Sequence, residues 1–229
     1  MTFDAGTALL EPPSSPARRI AAAREQVAEA CRAAGRDPSV VRIVGVTKMQ
    51  PREVVAAAIA AGLDEIGENY LQEARPKLEG LVARKHFIGH VQTNKAKAIV
   101  QTFDVVQSVD RLDAGLAVLK ASRALGKPVA ALIQVNVSPT ERFGLPPGEA
   151  AALAERLRAE GLTVDGVMAI GPLDASRDET LRAFGVAAET FRQVGGTTLS
   201  LGMSGDWREA VEAGSTMLRL GTMLFGARR

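Results

Sequence analysis

A lysine in the first quarter of the chain is placed to act as a nucleophile. Lys48 follows the apolar run Ile43 to Val46, and Pro51 opens a helical pattern three residues later. Such a run predicts a strand buried on both faces, as in parallel sheets. The carboxyl ends of these strands carry the active groups of barrel and open-sheet enzymes, where a partly desolvated amine can attack aldehydes. The alternative for a lysine at a strand end is an ordinary solvated charge.

Small and hydroxyl-bearing residues near the carboxyl terminus form a second candidate site. The segment 202–205 precedes a predicted helix, and Gly221-Thr222 follows the last predicted strand. Backbone N–H groups at a helix start, together with the Ser204 hydroxyl, can bind a phosphate dianion. Helix capping by Ser204 or Asp206 is the alternative role, and it is compatible with ligand binding.

An amine beside a phosphate cradle suggests a phosphorylated aldehyde as ligand, and pyridoxal 5'-phosphate (PLP) fits this description. The sequence contains neither Gly-x-Gly-x-x-Gly nor a Gly-Lys-Ser/Thr loop, which weakens dinucleotide and nucleoside-triphosphate interpretations. His86 and His90 are four residues apart, but the segment between them has strand character. On a strand this spacing does not make a helical metal-binding pair, so we predict no metal site.

Segments with strand character alternate with helical patterns along the chain. The predicted strands are Val41 to Thr47, Glu65 to Gly67, Lys85 to Gly89, Asp104 to Val109, Val129 to Val137, Thr163 to Ile170, Thr198 to Gly202 and Met217 to Gly221. The predicted helices are Ala17 to Ala34, Pro51 to Ala61, Tyr70 to Leu81, Asn94 to Thr102, Arg111 to Leu125, Pro147 to Glu160, Asp178 to Gln193 and Asp206 to Ala213. This alternation favours a parallel sheet with crossover helices.

A single (β/α)8 barrel of the TIM type is the simplest closure for eight strand–helix units. An open, doubly wound sheet is the alternative, because sequence does not reveal strand order. We expect one α/β domain over residues 17–229, since no linker or low-complexity tract divides it. Residues 1–16 end in a proline-rich run and are expected to form a loose or disordered tail, to which we assign no function.

In a barrel, polar residues that follow successive strands meet at one rim. Those residues are Asn69 after the second strand, His90 and Gln92 after the third, Ser108 and Asp110 at the fourth, and Asn136 at the fifth. Each one alone could cap a helix or satisfy a loop. Their shared position favours a ligand site.

The composition limits the classes of partner. The formal net charge is +2 and the basic residues are scattered, so we expect no nucleic-acid binding. Cys31 is the only cysteine and cannot form an internal disulfide, which agrees with a reducing compartment. No apolar run reaches the length of a membrane span and no signal-peptide pattern is present, so we expect a cytoplasmic protein without membrane contact.

Several motifs carry a resemblance to a known family. They are Val46-Thr47-Lys48-x-x-Pro51, Gly67-Glu68-Asn69-Tyr70-x-Gln72-Glu73, His86-Phe87-Ile88-Gly89-x-x-Gln92-x-Asn94-Lys95, Gly202-Met203-Ser204-x-Asp206 and Arg219-x-Gly221-Thr222-x-x-Phe225-Gly226. Because these motifs occur in order between about Arg18 and Arg228, the chain closely resembles the YggS/PROSC family of pyridoxal phosphate homeostasis proteins.

The resemblance implies a fold-type III PLP-binding barrel, similar to the N-terminal domain of bacterial alanine racemase, with PLP held as a Schiff base on Lys48. It also implies that Asn69 lies beside the cofactor ring and that Arg219 approaches the pyridine nitrogen. The residues implied at the phosphate are Ser204, Gly221 and Thr222, with Met203 nearby. A guanidinium facing the pyridine nitrogen disfavours its protonation, which makes the ring a weaker electron sink.

The family resemblance implies a carrier or regulator of PLP without enzymatic turnover, with PLP-dependent acceptor enzymes as partners and other B6 vitamers as further ligands. The alternative is a fold-type III amino-acid racemase of low activity that uses Lys48 as Schiff-base partner and base. Such racemases add a second domain and a tyrosine base, whereas the only tyrosine here, Tyr70, belongs to the motif after the second strand. A barrel that binds another phosphorylated metabolite is a third alternative. We expect a lone barrel of this kind to be a monomer.

Overall fold

Eight parallel strands close into a barrel in the computed structural model, which describes residues 15–140 and 142–226. Each strand pairs with the next along the chain, and the last pairs with the first through Val44 and Arg219. The strands are β1 (Arg42–Val46), β2 (Glu65–Glu68), β3 (Arg84–Phe87), β4 (Val105–Val109), β5 (Ala130–Val135), β6 (Thr163–Ala169), β7 (Thr198–Ser200) and β8 (Met217–Leu220). The predicted (β/α)8 barrel is confirmed, and the open-sheet alternative is wrong.

Helices connect the strands around the outside of the barrel. They are α1 (Pro16–Ala33), α2 (Arg52–Ala60), α3 (Leu71–Leu78), α4 (Ala96–Thr102), α5 (Leu112–Leu125), α6 (Ala150–Ala159), α7 (Arg177–Val194), α8 (Trp207–Glu212) and α9 (Thr222–Phe225). Short 3-10 turns at Pro38–Val40, Thr93–Lys95 and Pro147–Glu149 lead into β1, α4 and α6. Helix α9 falls outside the predicted helices because its four residues are too few to display helical periodicity. Within the described residues, no helix is both long and apolar enough to cross a bilayer.

Helix α1 precedes the barrel and packs against α2, α8 and α9. Its buried residues recur every three or four positions, which is the spacing of one helical face: Ile20, Ala23, Val27 and Cys31. The helix begins at Pro16, one residue before the predicted start, and Ser15 caps it by accepting a hydrogen bond from the Arg18 N–H. Residues 1–14 lie outside the described residues, so the expected loose tail stays a prediction.

Most strands end before their predicted carboxyl ends, and the loops that follow them are therefore longer than predicted. Lys48 therefore lies in a turn after β1 rather than at the end of the strand. The Gln50 N–H donates to the Thr47 carbonyl at 3.0 Å and closes this turn, in which Met49 has a φ of 62°. A left-handed conformation is costly for a residue with a side chain, and it persists only where neighbouring contacts hold it.

The interior of the barrel is more polar than the branched aliphatic layers that usually fill such barrels. Its buried polar side chains include His86, Gln107, Ser200 and Arg219. Buried polar groups are destabilising unless they are bonded to one another or to a ligand. The hydrogen bonds of these side chains therefore show how the residues at the rim are held in place.

Candidate functional site

A cavity of about 270 Å³ opens at the carboxyl-terminal rim of the barrel, beside the loops that follow β1, β7 and β8. This volume is close to the lower end of small-molecule sites, which is roughly 300 Å³. The residues predicted to bind the cofactor that line this cavity are Lys48, Met203, Ser204, Arg219, Gly221 and Thr222. The fold thus brings together residues that are up to 174 positions apart in the sequence, as 222 minus 48 gives.

Asn69 lines a second, larger cavity of about 830 Å³ at the same rim. Its Oδ1 atom is buried and has no hydrogen-bond partner among the described residues. His90 also lines this cavity, and its ring stacks on Phe143 with 4.3 Å between the ring centroids. Asn136 contributes to the same wall. The structure therefore places Asn69 in the neighbouring cavity and not in the wall that contains Lys48.

The other rim residues singled out in the sequence have local roles. The Ser108 hydroxyl donates to the Gly89 carbonyl at 2.5 Å, and Asp110 contacts Arg111 at 3.2 Å. Gln92 is exposed and lines neither of these two rim cavities. For Ser108 and Asp110 the observed contacts therefore match the alternative role, in which each residue forms bonds within its own loop region.

A buried lysine holds the Lys48 turn from the side of β2 and α3. The ammonium of Lys77 donates to the Thr47 carbonyl at 2.8 Å and lies 2.6 Å from Glu73 Oε1. The same Glu73 oxygen accepts the Met49 N–H at 2.6 Å. The backbone on both sides of Lys48 is therefore bonded to one ion-pair cluster, which gives the left-handed Met49 conformation its support.

Glu68 completes this cluster at the end of β2. Its Oε1 atom lies 2.6 Å from Lys77 Nζ and accepts the Thr47 hydroxyl at 2.6 Å, while Oε2 is buried without a hydrogen-bond partner among the described residues. Burial raises the pKa of Glu68 above its usual range, although the hydrogen bonds from Lys77 and Thr47 act in the opposite direction. The Lys48 turn therefore rests on a carboxyl group that is unusually easy to protonate.

Hydrogen-bond donors converge in the loops after β7 and β8. The Gly221 and Met223 N–H groups both donate to Ser204 Oγ at 3.2 Å. Helices α8 and α9 have only six and four residues, so helix dipoles contribute little here. Gly221 is the N-cap of α9 and Met223 is its second residue, so these are N–H groups at a helix start, and phosphate binding there stays a prediction.

Asp206 ties the β7 loop instead of capping α8. It occupies the N-cap position without a side-chain capping bond, and its carboxylate accepts the Met203 N–H at 2.5 Å. Burial raises the pKa of Asp206, while the hydrogen bond from Met203 lowers it. Ser204 likewise bonds to the β8 loop and makes no side-chain capping bond to α8.

Arg219 is buried in the wall of the Lys48 cavity. One terminal nitrogen donates to the carbonyl and the hydroxyl of Ser200 at 2.8 and 2.6 Å, and the other donates to the Ala169 carbonyl at 2.8 Å. Burial lowers the pKa of Arg219 to about 10, and nearby Asp206 acts in the opposite direction. The guanidinium therefore stays charged at neutral pH and is fixed by three bonds.

Sequence reasoning did not identify several residues that shape the site. Gln50 lines the Lys48 cavity, and Lys77 with Glu73 holds the turn. The spacing of Glu73 and Lys77, four residues apart on a predicted helix, was the available signal. Ser200 carries no local signal, because its partner Gln107 is 93 positions away.

The described residues contain no group of three His, Cys, Asp or Glu side chains that could hold a metal ion. His86 is fully buried inside the barrel, whereas His90 lies at the rim. The two histidines are therefore in different environments despite their spacing.

The fold and the cavity together define a (β/α)8 barrel that carries a lysine after its first strand and hydrogen-bond donors after its last two. The chain belongs to the family described as alanine racemase, N-terminal domain, whose family model matches residues 18–229, and within it to the pyridoxal phosphate homeostasis proteins.

Two curated relatives and one solved structure illustrate this membership. The pyridoxal phosphate homeostasis protein of Pseudomonas aeruginosa is 40% identical, with 94% of this chain and 96% of the relative covered. The protein of the same name from Escherichia coli K12 is 36% identical, covering 93% and 96%. The structure of PipY from Synechococcus elongatus with PLP bound has a TM-score of 0.77 and 32% identity, covering 92% of this chain and 100% of PipY. The predicted family resemblance is confirmed.

Proposed function

We propose that this chain binds PLP as a Schiff base on Lys48 and acts in cofactor homeostasis by holding and delivering PLP without turning over a substrate. The observation that carries the proposal is the single cavity lined by Lys48, Ser204, Arg219 and Gly221. An amine and phosphate-binding donors in one cavity suit a phosphorylated aldehyde. The names of the curated relatives and the PLP bound in PipY support the same ligand.

The residues of the site fit the groups of PLP. When bound, PLP supplies an electrophilic aldehyde and an electron-withdrawing ring. Ser204, the Gly221 N–H and the Thr222 hydroxyl would hold the phosphate, with Met203 nearby. Arg219 would face the pyridine nitrogen.

Asn69 would lie beside the ring, and its unpartnered buried oxygen supports a polar ligand group there. This assignment requires the ligand to reach the boundary between the two rim cavities, because Asn69 lines the larger one.

The composition of the cavity supports a carrier more than a racemase. The described residues that line the cavity of Lys48 include no histidine, tyrosine or carboxylate, whereas Tyr70 and His90 line the larger cavity next to it. Two-base racemisation needs a second proton-transferring group across the substrate from the lysine. The proposal also includes PLP-dependent acceptor enzymes as partners, other B6 vitamers as further ligands, a cytoplasmic location and a monomeric state, as the family resemblance and the composition led us to expect.

The Schiff base is tested by the absorbance of the protein after incubation with PLP. We expect Lys48→Ala to lose the Schiff-base band and its reduction by borohydride while keeping the wild-type circular dichroism spectrum. Lys97→Ala is the matched control, because Lys97 is an exposed lysine on α4, and it should keep the band. A borohydride-reducible band that persists in Lys48→Ala would contradict the assignment.

A further inference from the structure

A chain of buried polar side chains crosses the inside of the barrel and ends at Arg219. The guanidinium donates to Ser200 Oγ at 2.6 Å, and the Ser200 hydroxyl donates to Gln107 Oε1 at 2.7 Å. Gln107 Nε2 lies 2.9 Å from His86 Nδ1. These residues belong to β8, β7, β4 and β3, and all four are buried. These hydrogen bonds therefore join strands that do not all pair with one another.

The other end of this row of polar side chains reaches solvent at the amino-terminal side of the barrel. His86 Nε2 lies 2.9 Å from Glu65 Oε2, a short polar contact that lacks the alignment of a good hydrogen bond. Glu65 Oε1 lies 3.2 Å from Arg42, whose side chain is 33% exposed. The polar chain thus extends from the surface at β1 and β2 to the guanidinium at the rim cavity.

The donors and acceptors of this chain have one consistent direction. A carboxylate beside Nε2 favours a proton on that nitrogen, so Nδ1 of His86 accepts from the Gln107 amide. The amide oxygen then faces Ser200 and accepts its hydroxyl proton, which leaves the serine oxygen to accept from Arg219. Every bond from the guanidinium to the imidazole therefore donates toward Glu65.

The charge state of His86 agrees with this direction. Burial lowers the pKa of His86, and the positive charges of Arg84 and Arg42 act in the same sense, while Glu65 opposes them. A neutral imidazole supplies the single acceptor nitrogen that the Gln107 amide needs. A protonated ring would donate from both nitrogens and would force the amide to reverse.

We propose that Gln107 is a positioning residue that fixes Arg219 through the hydroxyl of Ser200. The inference rests on the proposed function, in which Arg219 faces the pyridine nitrogen of PLP. Without the glutamine oxygen, the Ser200 hydroxyl loses its acceptor and can rotate toward the guanidinium. The cation is then less well placed, and the pyridine nitrogen binds a proton more readily.

The test uses PLP labelled with nitrogen-15 in the ring, bound to the full-length protein and followed by NMR across pH. We expect the midpoint of ring-nitrogen protonation to rise by about one pH unit or more in Gln107→Leu, relative to wild type. Ser200→Ala should shift it in the same direction, and it remains informative if Gln107→Leu does not fold. Arg219→Gln provides the reference for complete loss of the cation.

A matched control removes a buried hydroxyl elsewhere. Thr190 is buried on α7, where its hydroxyl donates to the Val186 carbonyl at 2.8 Å, and Thr190→Val should keep the wild-type midpoint. The inference is overturned if Gln107→Leu and Ser200→Ala both keep that midpoint while Arg219→Gln moves it. Failure of the proposed function gives a different result, because wild-type protein would then acquire no lysine-linked label at all.

Discussion

At the scale of single residues, Lys77 is a buried lysine whose ammonium contacts two carboxylates. Its side chain is 7% exposed, and that of its partner Glu68 is fully buried. Removing one member of a buried ion pair leaves the other charge uncompensated, which costs far more than the loss of a surface pair. Lys77 is therefore important both for stability and for the backbone that carries Lys48.

We expect Lys77→Met to lower the free energy of unfolding by about 3–5 kcal/mol, measured by chemical denaturation. Lys120→Met is the control, because Lys120 is an exposed lysine of α5, and its effect should stay within about 0.5 kcal/mol. Adding Glu68→Gln to Lys77→Met should recover part of the loss, since it removes the uncompensated charge. A loss below about 1 kcal/mol for Lys77→Met would contradict the importance of this cluster.

Residue identity could be predicted where a motif and a strand end coincide. Lys48, Ser204 and Gly221 were placed in one site from such positions, and they line one cavity. Lys77 was not identified from the sequence, because a lysine on an amphipathic helix normally lies on the solvated side. Its inward position depends on Glu68, nine positions earlier on another element, and no local pattern encodes that contact.

At the scale of elements, β2 and β3 place an acid and a base together inside the barrel. The pKa of Glu65 is lowered, because the contact with His86 and the charge of Arg42 outweigh the burial that would raise it. The pKa of His86 is lowered chiefly by burial. Both shifts make the folded protein bind protons less readily than the unfolded chain does.

The His86 shift predicts a pH dependence of stability. As the pH falls below the ordinary histidine value of 6.5, the unfolded chain takes up a proton before the folded protein does, and this favours unfolding. We expect His86 to contribute a loss of stability on acidification, with a slope of at most about 1.4 kcal/mol per pH unit. Denaturation series between about pH 7 and 5 should show this slope in wild type and not in His86→Gln.

The chain provides its own control for this measurement. His90 is the only other histidine, and His90→Gln should keep the His86 contribution. Glu68 and Asp206 have raised pKa values and take up protons first in the folded state, so they act in the opposite direction at lower pH. The comparison therefore uses the difference between variants. Identical slopes in wild type and His86→Gln would contradict the neutral buried imidazole.

Element type and order were predictable from periodicity, whereas element ends were not. All eight strands fall on predicted segments, because each buried strand is a short apolar run between helical patterns. The carboxyl ends of β1, β3 and β7 lie one or two residues earlier than predicted, because backbone contacts to other elements decide where a ladder stops. Because β1 ends at Val46, Lys48 lies in the turn that follows it.

At the scale of the whole molecule, closure of the barrel brings distant segments to one rim. Pairing of β8 with β1 sets the Arg219 strand beside the Lys48 strand, so the residues of the cavity meet only in the complete fold. The contact network inside the barrel, from Arg42 to Arg219, could not be predicted because its bonds join strands far apart in sequence. The family motifs indicated the residues of the cavity but not the contacts inside the barrel that hold Arg219.

We propose that this barrel holds PLP on Lys48 without turning over amino acids. The most direct measurement is α-proton exchange in heavy water, followed by NMR, for a panel of amino acids incubated with visibly PLP-loaded protein and with Lys48→Ala. We expect exchange far slower than ordinary enzymatic turnover, which is about 1 s⁻¹ or faster. Exchange at enzymatic rates that disappears in Lys48→Ala would contradict it and would establish a racemase-like enzyme.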